Sequence, residues 1–307
     1  MKKLTACLLL LAMLLSCAIA EEKTELPDID LSAIDWAIPN SELSEDFEQE
    51  GAEGEVRLAG DVNPTSAQAE EAEEEAFVDG FTPDDVSRMI IDGDDRVTVN
   101  NTKAYPYSTM ANMKVTGECK CKWECTGFMV GKKFLLTAAH CMICPEHNKW
   151  AKNVTFYFGY QSSSKYLYKY TGGWYAVAGT SFPNGYKFDQ MSHDWCYLKL
   201  DKAVGDKTGW LGFNIASDSE INTRYYTVAG YRDNKLKYGF GWAAAYDDNL
   251  MLFNADEVAG NSGGPVYLNY QDRADAIIVA EAPEANVNIG RRITRYIWDC
   301  MQKDGYQ

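Results

Sequence analysis

The sequence predicts an all-β body that ends in one helix, and three observations carry that reading. Short runs of aromatic or β-branched residues at 154–158, 166–170, 174–177, 225–228 and 276–279 lie between Gly, Asn and Asp turns, the pattern of many short strands in a barrel or sandwich. Only 291–302 repeats apolar residues at helical spacing, with Ile293, Ile297, Cys300 and Met301 recurring on about one face. The acidic residues are gathered at the front of the chain rather than spread through the strand-forming part. With 307 residues, 46% of them hydrophobic and 19 Tyr and 8 Trp among them, the chain can bury one or two sizeable cores.

In chain order the first element is a leader. Met1, Lys2 and Lys3, an apolar run at 8–15 and then Ala18, Ile19 and Ala20 have the layout of a secretory signal peptide over 1–20, with cleavage after Ala20. The apolar run falls short of the roughly 20 residues that span a bilayer, so the expected location is secreted and extracellular. Leu14-Leu15-Ser16-Cys17 loosely resembles a lipobox, which makes lipid anchoring through Cys17 the alternative.

Residues 21–88 hold 22 Asp plus Glu against 3 Lys plus Arg, a net of −19 in a chain of −16; with Lys2 and Lys3 in the leader, 89–307 carries +1. The acidity therefore belongs to one segment, and charge implies neither a nucleic-acid partner nor an anionic membrane. Such a composition buries little apolar surface, so 21–88 is read as a flexible, removable acidic prosegment and a candidate inhibitor of the body that follows. Arg88, before Met89, Ile90 and Ile91, is the expected cleavage point. The plainer alternative is a solvated linker with no regulatory role.

The chemistry centres on Gly260-Asn261-Ser262-Gly263-Gly264, on Thr137-Ala138-Ala139-His140-Cys141, and on Ser192-His193-Asp194-Trp195-Cys196. A serine hydroxyl is a poor nucleophile at neutral pH. It needs a histidine to take its proton, and that histidine needs an acid to fix its tautomer. Ser262, His140 and Asp194 supply the three. Apolar Trp195, Leu198 and Leu200 around Asp194 imply burial, where an unpaired carboxylate is costly. The glycines around Ser262 let the backbone approach a substrate, so the Gly260 and Ser262 amides are expected to form an oxyanion hole. His147 and His193 lack such surroundings and read as ordinary packing or surface residues.

The order His, Asp, Ser, together with Ile91-Asp92-Gly93-Asp94-Asp95-Arg96, Asn101-Thr102-Lys103-Ala104-Tyr105-Pro106 and Val228-Ala229-Gly230-Tyr231, resembles the trypsin-like serine endopeptidases. The likeness is closer to their bacterial glutamyl-endopeptidase branch, and it covers the part of the chain beyond the prosegment. It implies two antiparallel β-barrels of the chymotrypsin type with a C-terminal helix: 89–205 carrying His140 and Asp194, and 206–307 carrying Ser262. It further implies a precursor-derived serine endopeptidase that acts on protein or peptide substrates without cofactor or metal. A non-catalytic relative that keeps the fold for binding is the alternative class. One departure from the trypsins is Asn261, where they have an aspartate that pairs with the new α-amino group; activation here cannot use that ion pair.

By the same resemblance Asp256, six residues before Ser262, occupies the base of the primary specificity pocket. The glutamate-cleaving enzymes use a threonine and a histidine where this chain has Glu257 and Glu281. Acids gathered near one pocket repel a substrate glutamate and attract a cation, so cleavage after Arg or Lys is expected, with glutamyl specificity as the alternative and loop surface charge as the plain reading of Asp256 and Glu257.

Cys119, Cys121, Cys125, Cys141, Cys144 and His147 crowd together in sequence, a density compatible with zinc, but an exported chain favours disulfides. The family resemblance implies a Cys125–Cys141 bridge at the histidine turn. Cys144 is left to Cys121 or Cys119, Cys196 and Cys300 are unassigned, and seven cysteines in 89–307 leave one free or intermolecular.

Overall fold

The strand-forming runs pair as two sheets in the structure, a computed structural model that describes residues 41–42, 54–59, 94–268, 271–282 and 285–306. The expected signal peptide, Cys17 and Arg88 lie outside the described residues. The strands are β1 (Ser41–Glu42), β2 (Glu55–Leu58), β3 (Val97–Thr98), β4 (Met110–Gly117), β5 (Lys122–Met129), β6 (Phe134–Thr137), β7 (Ile143–Cys144), β8 (Lys149–Phe158), β9 (Tyr168–Tyr170), β10 (Trp174–Ala178) and β11 (Cys196–Leu200). They continue as β12 (Gly212–Phe213), β13 (Tyr225–Arg232), β14 (Lys235–Ala245), β15 (Leu250–Phe253), β16 (Pro265–Leu268), β17 (Arg273–Ala282) and β18 (Val287–Arg292).

The first sheet runs β2-β10-β11-β6-β5-β4-β8-β7, with β1 on β5 and β9 on β8. The second runs β12-β17-β16-β13-β14-β15-β18, with β3 on β14, and a β17–β18 pairing joins its ends into a closed ring of six strands. Closure removes the unpaired edges that an open sheet would leave. Apart from β2 on β10 and β12 on β17, which are parallel, the pairings are antiparallel, as hairpin connections require.

Branched and aromatic side chains on the inward faces make the core. Met113, Phe128, Leu135, Leu136, Val154, Phe156 and Leu198 fill the first sheet, and Tyr226, Val228, Phe253, Val266 and Ile278 form a second cluster. Each such side chain contributes about 1.5–3 kcal/mol by leaving water.

Two expectations change. The acidic segment expected to be flexible carries an ordered stretch among its described residues: β2 pairs with β10 from Glu55↔Tyr175 to Leu58↔Ala178, Arg57 reaches Asp304 at 3.1 Å, and Ala59 is buried. The segment's average composition hides a local Glu-Val-Arg-Leu stretch with strand character, docked where Gly54 passes so close to the Trp174 ring that no Cβ would fit. The C-terminal helix spans Arg295–Lys303, not 291–302. Arg291 and Arg292 are taken by β18, where they pair with Leu250 and Ala276, and Thr294 stands extended at the N-cap position of the helix that follows, its side chain making no capping bond. Ile297, Cys300 and Met301 are its buried face. No helix among the described residues is long and apolar enough to cross a membrane.

Candidate active site

His140 lies just beyond β6, in a short 3-10 turn over Ala139–Cys141. The small residues before it matter: Ala138 is extended and Ala139 begins the turn, so the chain reverses without bulk at the ring. Asp194 stands two residues before β11, which pairs with β6 from Cys196↔Thr137. That register brings acid and imidazole together. His140 Nδ1 and Asp194 Oδ2 are 2.6 Å apart, and the His140 amide donates to Asp194 Oδ1 at 3.0 Å. Both residues are fully buried, as the apolar neighbours Trp195, Leu198 and Leu200 foretold. Burial opposes the charged imidazole, but the Asp194 carboxylate, with the Cys141 sulfur behind it, outweighs burial and holds the His140 pKa above its ordinary value.

Ser262 lies in the turn before β16, fully buried. Among the described residues, Ser262 Oγ and His140 Nε2 have no hydrogen-bond partner. The two segments touch, because the Cys141 thiol donates to the Ser262 carbonyl at 3.4 Å. Gly260 (φ 94°) and Gly263 (φ 81°) take left-handed backbone that glycine adopts without strain, and a Cβ on Gly263 would lie 2.2 Å from the Thr126 carbonyl. The turn is tied by Asn261 N–H to Val258 O, Gly263 N–H to Ile278 O and Gly264 N–H to Asn261 O, at 2.8–2.9 Å. Among the described residues the Gly260 and Ser262 amides donate no such bond.

Two residues that sequence reasoning passed over hold this arrangement. Tyr186 donates its hydroxyl to Asp194 Oδ2 at 2.6 Å and sets its ring edge-on to His140, 5.8 Å between centroids. Thr126 in β5 joins the sheets: its hydroxyl donates to Gly260 O at 2.9 Å and accepts the Tyr231 N–H at 2.8 Å, while its amide donates to Ser262 O at 2.9 Å. Nothing in the local sequence marks either residue. Their partners lie on other strands.

Asn261 forms no ion pair, as its side chain dictates. Its Oδ1 accepts the Val258 amide at 3.0 Å and Arg96 Nη1 at 3.3 Å. The neighbouring Asp95 amide donates to Asp256 Oδ2 at 3.0 Å. The segment after the expected cleavage point therefore grips the loop that carries Ser262. Asp256, Glu257 and Glu281 are all buried. Among the described residues both carboxylate oxygens of Glu257 lack a hydrogen-bond partner, and burial together with the Glu281 charge raises its pKa well above the ordinary range, against the pull of Arg96 and His140.

The two residues expected to bridge, Cys125 and Cys141, meet as buried thiols: the Cys125 side chain hydrogen-bonds to Cys141, and the Cys141 thiol donates to Ser262 O. Cys196 and Cys300 are likewise free thiols, one in β11 and one on the C-terminal helix. Cys119, Cys121 and Cys144 are unbridged too and meet His147, the histidine expected to be ordinary.

Comparison with known proteins agrees with this architecture. Residues 97–297 match the trypsin family. Over 221 residues the chain is 26% identical to an "Extracellular metalloprotease" of Bacillus subtilis, covering 69% of this chain and 68% of that one. Over 227 residues it is 26% identical to a "Glutamyl endopeptidase" of Bacillus licheniformis, covering 69% and 67%. Among solved structures, a Glu endopeptidase in complex with MPD superposes with a TM-score of 0.58 at 20% identity, over 70% of this chain and 99% of that one. HL collagenase superposes at 0.53 and 17% identity, over 69% and 99%. The match over 97–297 takes in strands β3 to β18 and every residue from His140 to Ser262, so the chain belongs to the trypsin family and is a trypsin-like serine protease near the glutamyl-endopeptidase branch.

Proposed function

We propose that Ser262, His140 and Asp194 are the catalytic triad of a secreted endopeptidase that cleaves after Arg or Lys. One observation carries the triad: Asp194 engages Nδ1 of His140 at 2.6 Å, which leaves Nε2 as the only ring position able to accept a proton, and among the described residues both that nitrogen and Ser262 Oγ are without a hydrogen-bond partner. Ser262 Oγ attacks the peptide carbonyl as its proton passes to Nε2. Asp194 stabilises the imidazolium, which then protonates the leaving amine. The uncommitted Gly260 and Ser262 amides receive the oxyanion, and water repeats the sequence on the acyl-enzyme. Tyr186 positions Asp194 by occupying the oxygen that also faces His140.

Basic specificity rests on Glu257 and Glu281, buried beside each other. A neutral, uncompensated Glu257 is a poor resting state, and a substrate guanidinium or ammonium relieves it by letting the carboxyl ionise. Glu257→Gln keeps the volume and removes that charge. The expected result is a loss of about 10–100-fold in kcat/KM on Arg and Lys peptides, the weight of one or two charge-assisted hydrogen bonds, with uncharged peptides unaffected. In the wild type, turnover of basic peptides should climb with pH beyond the ordinary carboxylate range, as Glu257 ionises. Equal loss on every peptide type would refute the assignment. The name of the Bacillus licheniformis relative favours glutamate instead, and preference for Glu peptides would establish that reading.

Export follows from the leader and agrees with the printed name of the Bacillus subtilis relative. His140, Asp194 and Ser262 have no accessible surface, so a substrate needs the site opened, and we read removal of 21–88 at Arg88 as the step that opens it. A fluorophosphonate probe tests this. Chain cleaved at Arg88 should label at Ser262 at least ten times faster than full-length chain, and equal rates would leave 21–88 a plain linker.

A further inference from the structure

We propose that Cys119, Cys121, Cys144 and His147 form a structural zinc site that clamps two hairpin turns of the first sheet beside the His140 turn. Their four donor atoms lie within 4.8 Å of one another, supplied in pairs. Cys119 and Cys121 flank Lys120, whose φ of 71° turns the β4–β5 hairpin, closed by the Gly117 amide on Cys121 O and the Lys120 amide on Gly117 O. Cys144 and His147 belong to the β7–β8 hairpin, where Cys144 is the register partner of Lys149 and Asn148 takes a φ of 48°. The Glu118 amide donates to Trp150 O at 2.9 Å, which locks the two turns side by side.

The spacing fits a tetrahedral ion. Thiolates at about 2.3 Å and an imidazole nitrogen at about 2.0–2.1 Å from zinc put sulfur and nitrogen roughly 3.5 Å apart. His147 Nδ1 is 3.5 Å from Cys121 Sγ and 3.4 Å from Cys144 Sγ. The donor set also decides between bonding schemes. Three sulfurs cannot all be used by disulfides, and a bridge between any two strands the third next to an imidazole, whereas three thiolates and one histidine fill a closed zinc shell with no position left over. Cys144 already accepts the backbone N–H groups of Glu146 and His147, the outer partners that orient a metal-bound sulfur. With four protein ligands the site is structural, not catalytic. It replaces the sequence expectation of disulfides and no metal at these residues.

Its place explains what it would do. Cys144 follows His140 by four positions in the chain, and between them Met142 O accepts the Ala151 amide of β8. A clamp at Cys144 fixes the downstream side of the turn that bears His140.

The test uses the full chain purified without chelator and reads metal, not peptidase activity. Elemental analysis should find one zinc per chain. Cobalt(II) exchanged into the site should give the visible bands and sulfur-to-metal charge-transfer absorption of a tetrahedral thiolate complex. Cys144→Ser and His147→Ala should each cut zinc content at least fivefold, while Cys300→Ser leaves it unchanged. Should those variants fail to fold, the cobalt spectrum of the unsubstituted chain still decides. The proposal is overturned if the reduced chain takes up no zinc from a zinc-buffered solution, or if the mass of the denatured, unreduced protein shows a disulfide among Cys119, Cys121 and Cys144.

Discussion

Ser262→Ala should lower kcat on peptide substrates by about 10⁶-fold, the scale expected when the nucleophile of a triad is removed, while the fold persists. The second half of that statement follows from the site's construction. The turn is held by main-chain bonds of Asn261, Gly263 and Gly264 and by Thr126 on Gly260 O and Ser262 O. None of them uses the Ser262 hydroxyl, which has no partner of its own. Alanine therefore removes an unpaired buried polar atom, which costs the fold nothing in lost hydrogen bonds. Thermal unfolding should be unchanged or slightly later, and reaction with fluorophosphonate should vanish. A variant with substantial residual turnover would show that another group attacks the carbonyl.

Asp194→Asn should cost about 10⁴-fold in kcat at neutral pH, because an amide no longer enforces the tautomer that leaves Nε2 free to accept a proton. The pH profile moves as well, and its sign is fixed. In the wild type the Asp194 carboxylate outweighs burial and raises the His140 pKa, so the activity limb that reports loss of the imidazole proton lies above the unperturbed value of about 6.5. Without the carboxylate burial is opposed by the Cys141 sulfur alone, and that limb should shift to lower pH. The same pair contributes to stability with the matching sign: fully present below about pH 6.5, where the unfolded imidazole is also charged, and lost as pH rises through the higher folded-state value. Asp194→Asn should erase that slope. A limb that does not move would place the controlling ionisation on another group.

What could be read from the sequence, and what could not, divides along contact range. The strand runs at 154–158, 174–177, 225–228 and 276–279 fall within β8, β10, β13 and β17, because alternation and turn residues are local signals. Small residues around His140 and glycines around Ser262 are equally local, and the burial of Asp194 followed from its apolar neighbours. Tyr186 and Thr126 stayed invisible because their roles come from strands that meet only in the folded sheet. The end of β18 reads as helix in the sequence because Ile293 continues the spacing of Ile297 and the true helix backwards, whereas the pairing of Arg291 and Arg292 depends on β15 and β17. The docked β2 was hidden by averaging over an acidic segment. The cysteines were legible as a cluster, but two hairpins had to form before Cys119, Cys121, Cys144 and His147 separated from the thiol pair Cys125 and Cys141.

The central claim is most directly tested by assaying the Arg88-cleaved chain, and the same chain carrying Ser262→Ala, on matched fluorogenic peptides with Arg, Lys or Glu before the scissile bond. The structure and its buried acids predict rapid turnover of the Arg and Lys peptides, little of the Glu peptide, and none by the variant. Rapid turnover of the Glu peptide alone would contradict the specificity assigned to Glu257 and Glu281, and absence of turnover on all three despite complete cleavage would contradict the catalytic role of His140, Asp194 and Ser262.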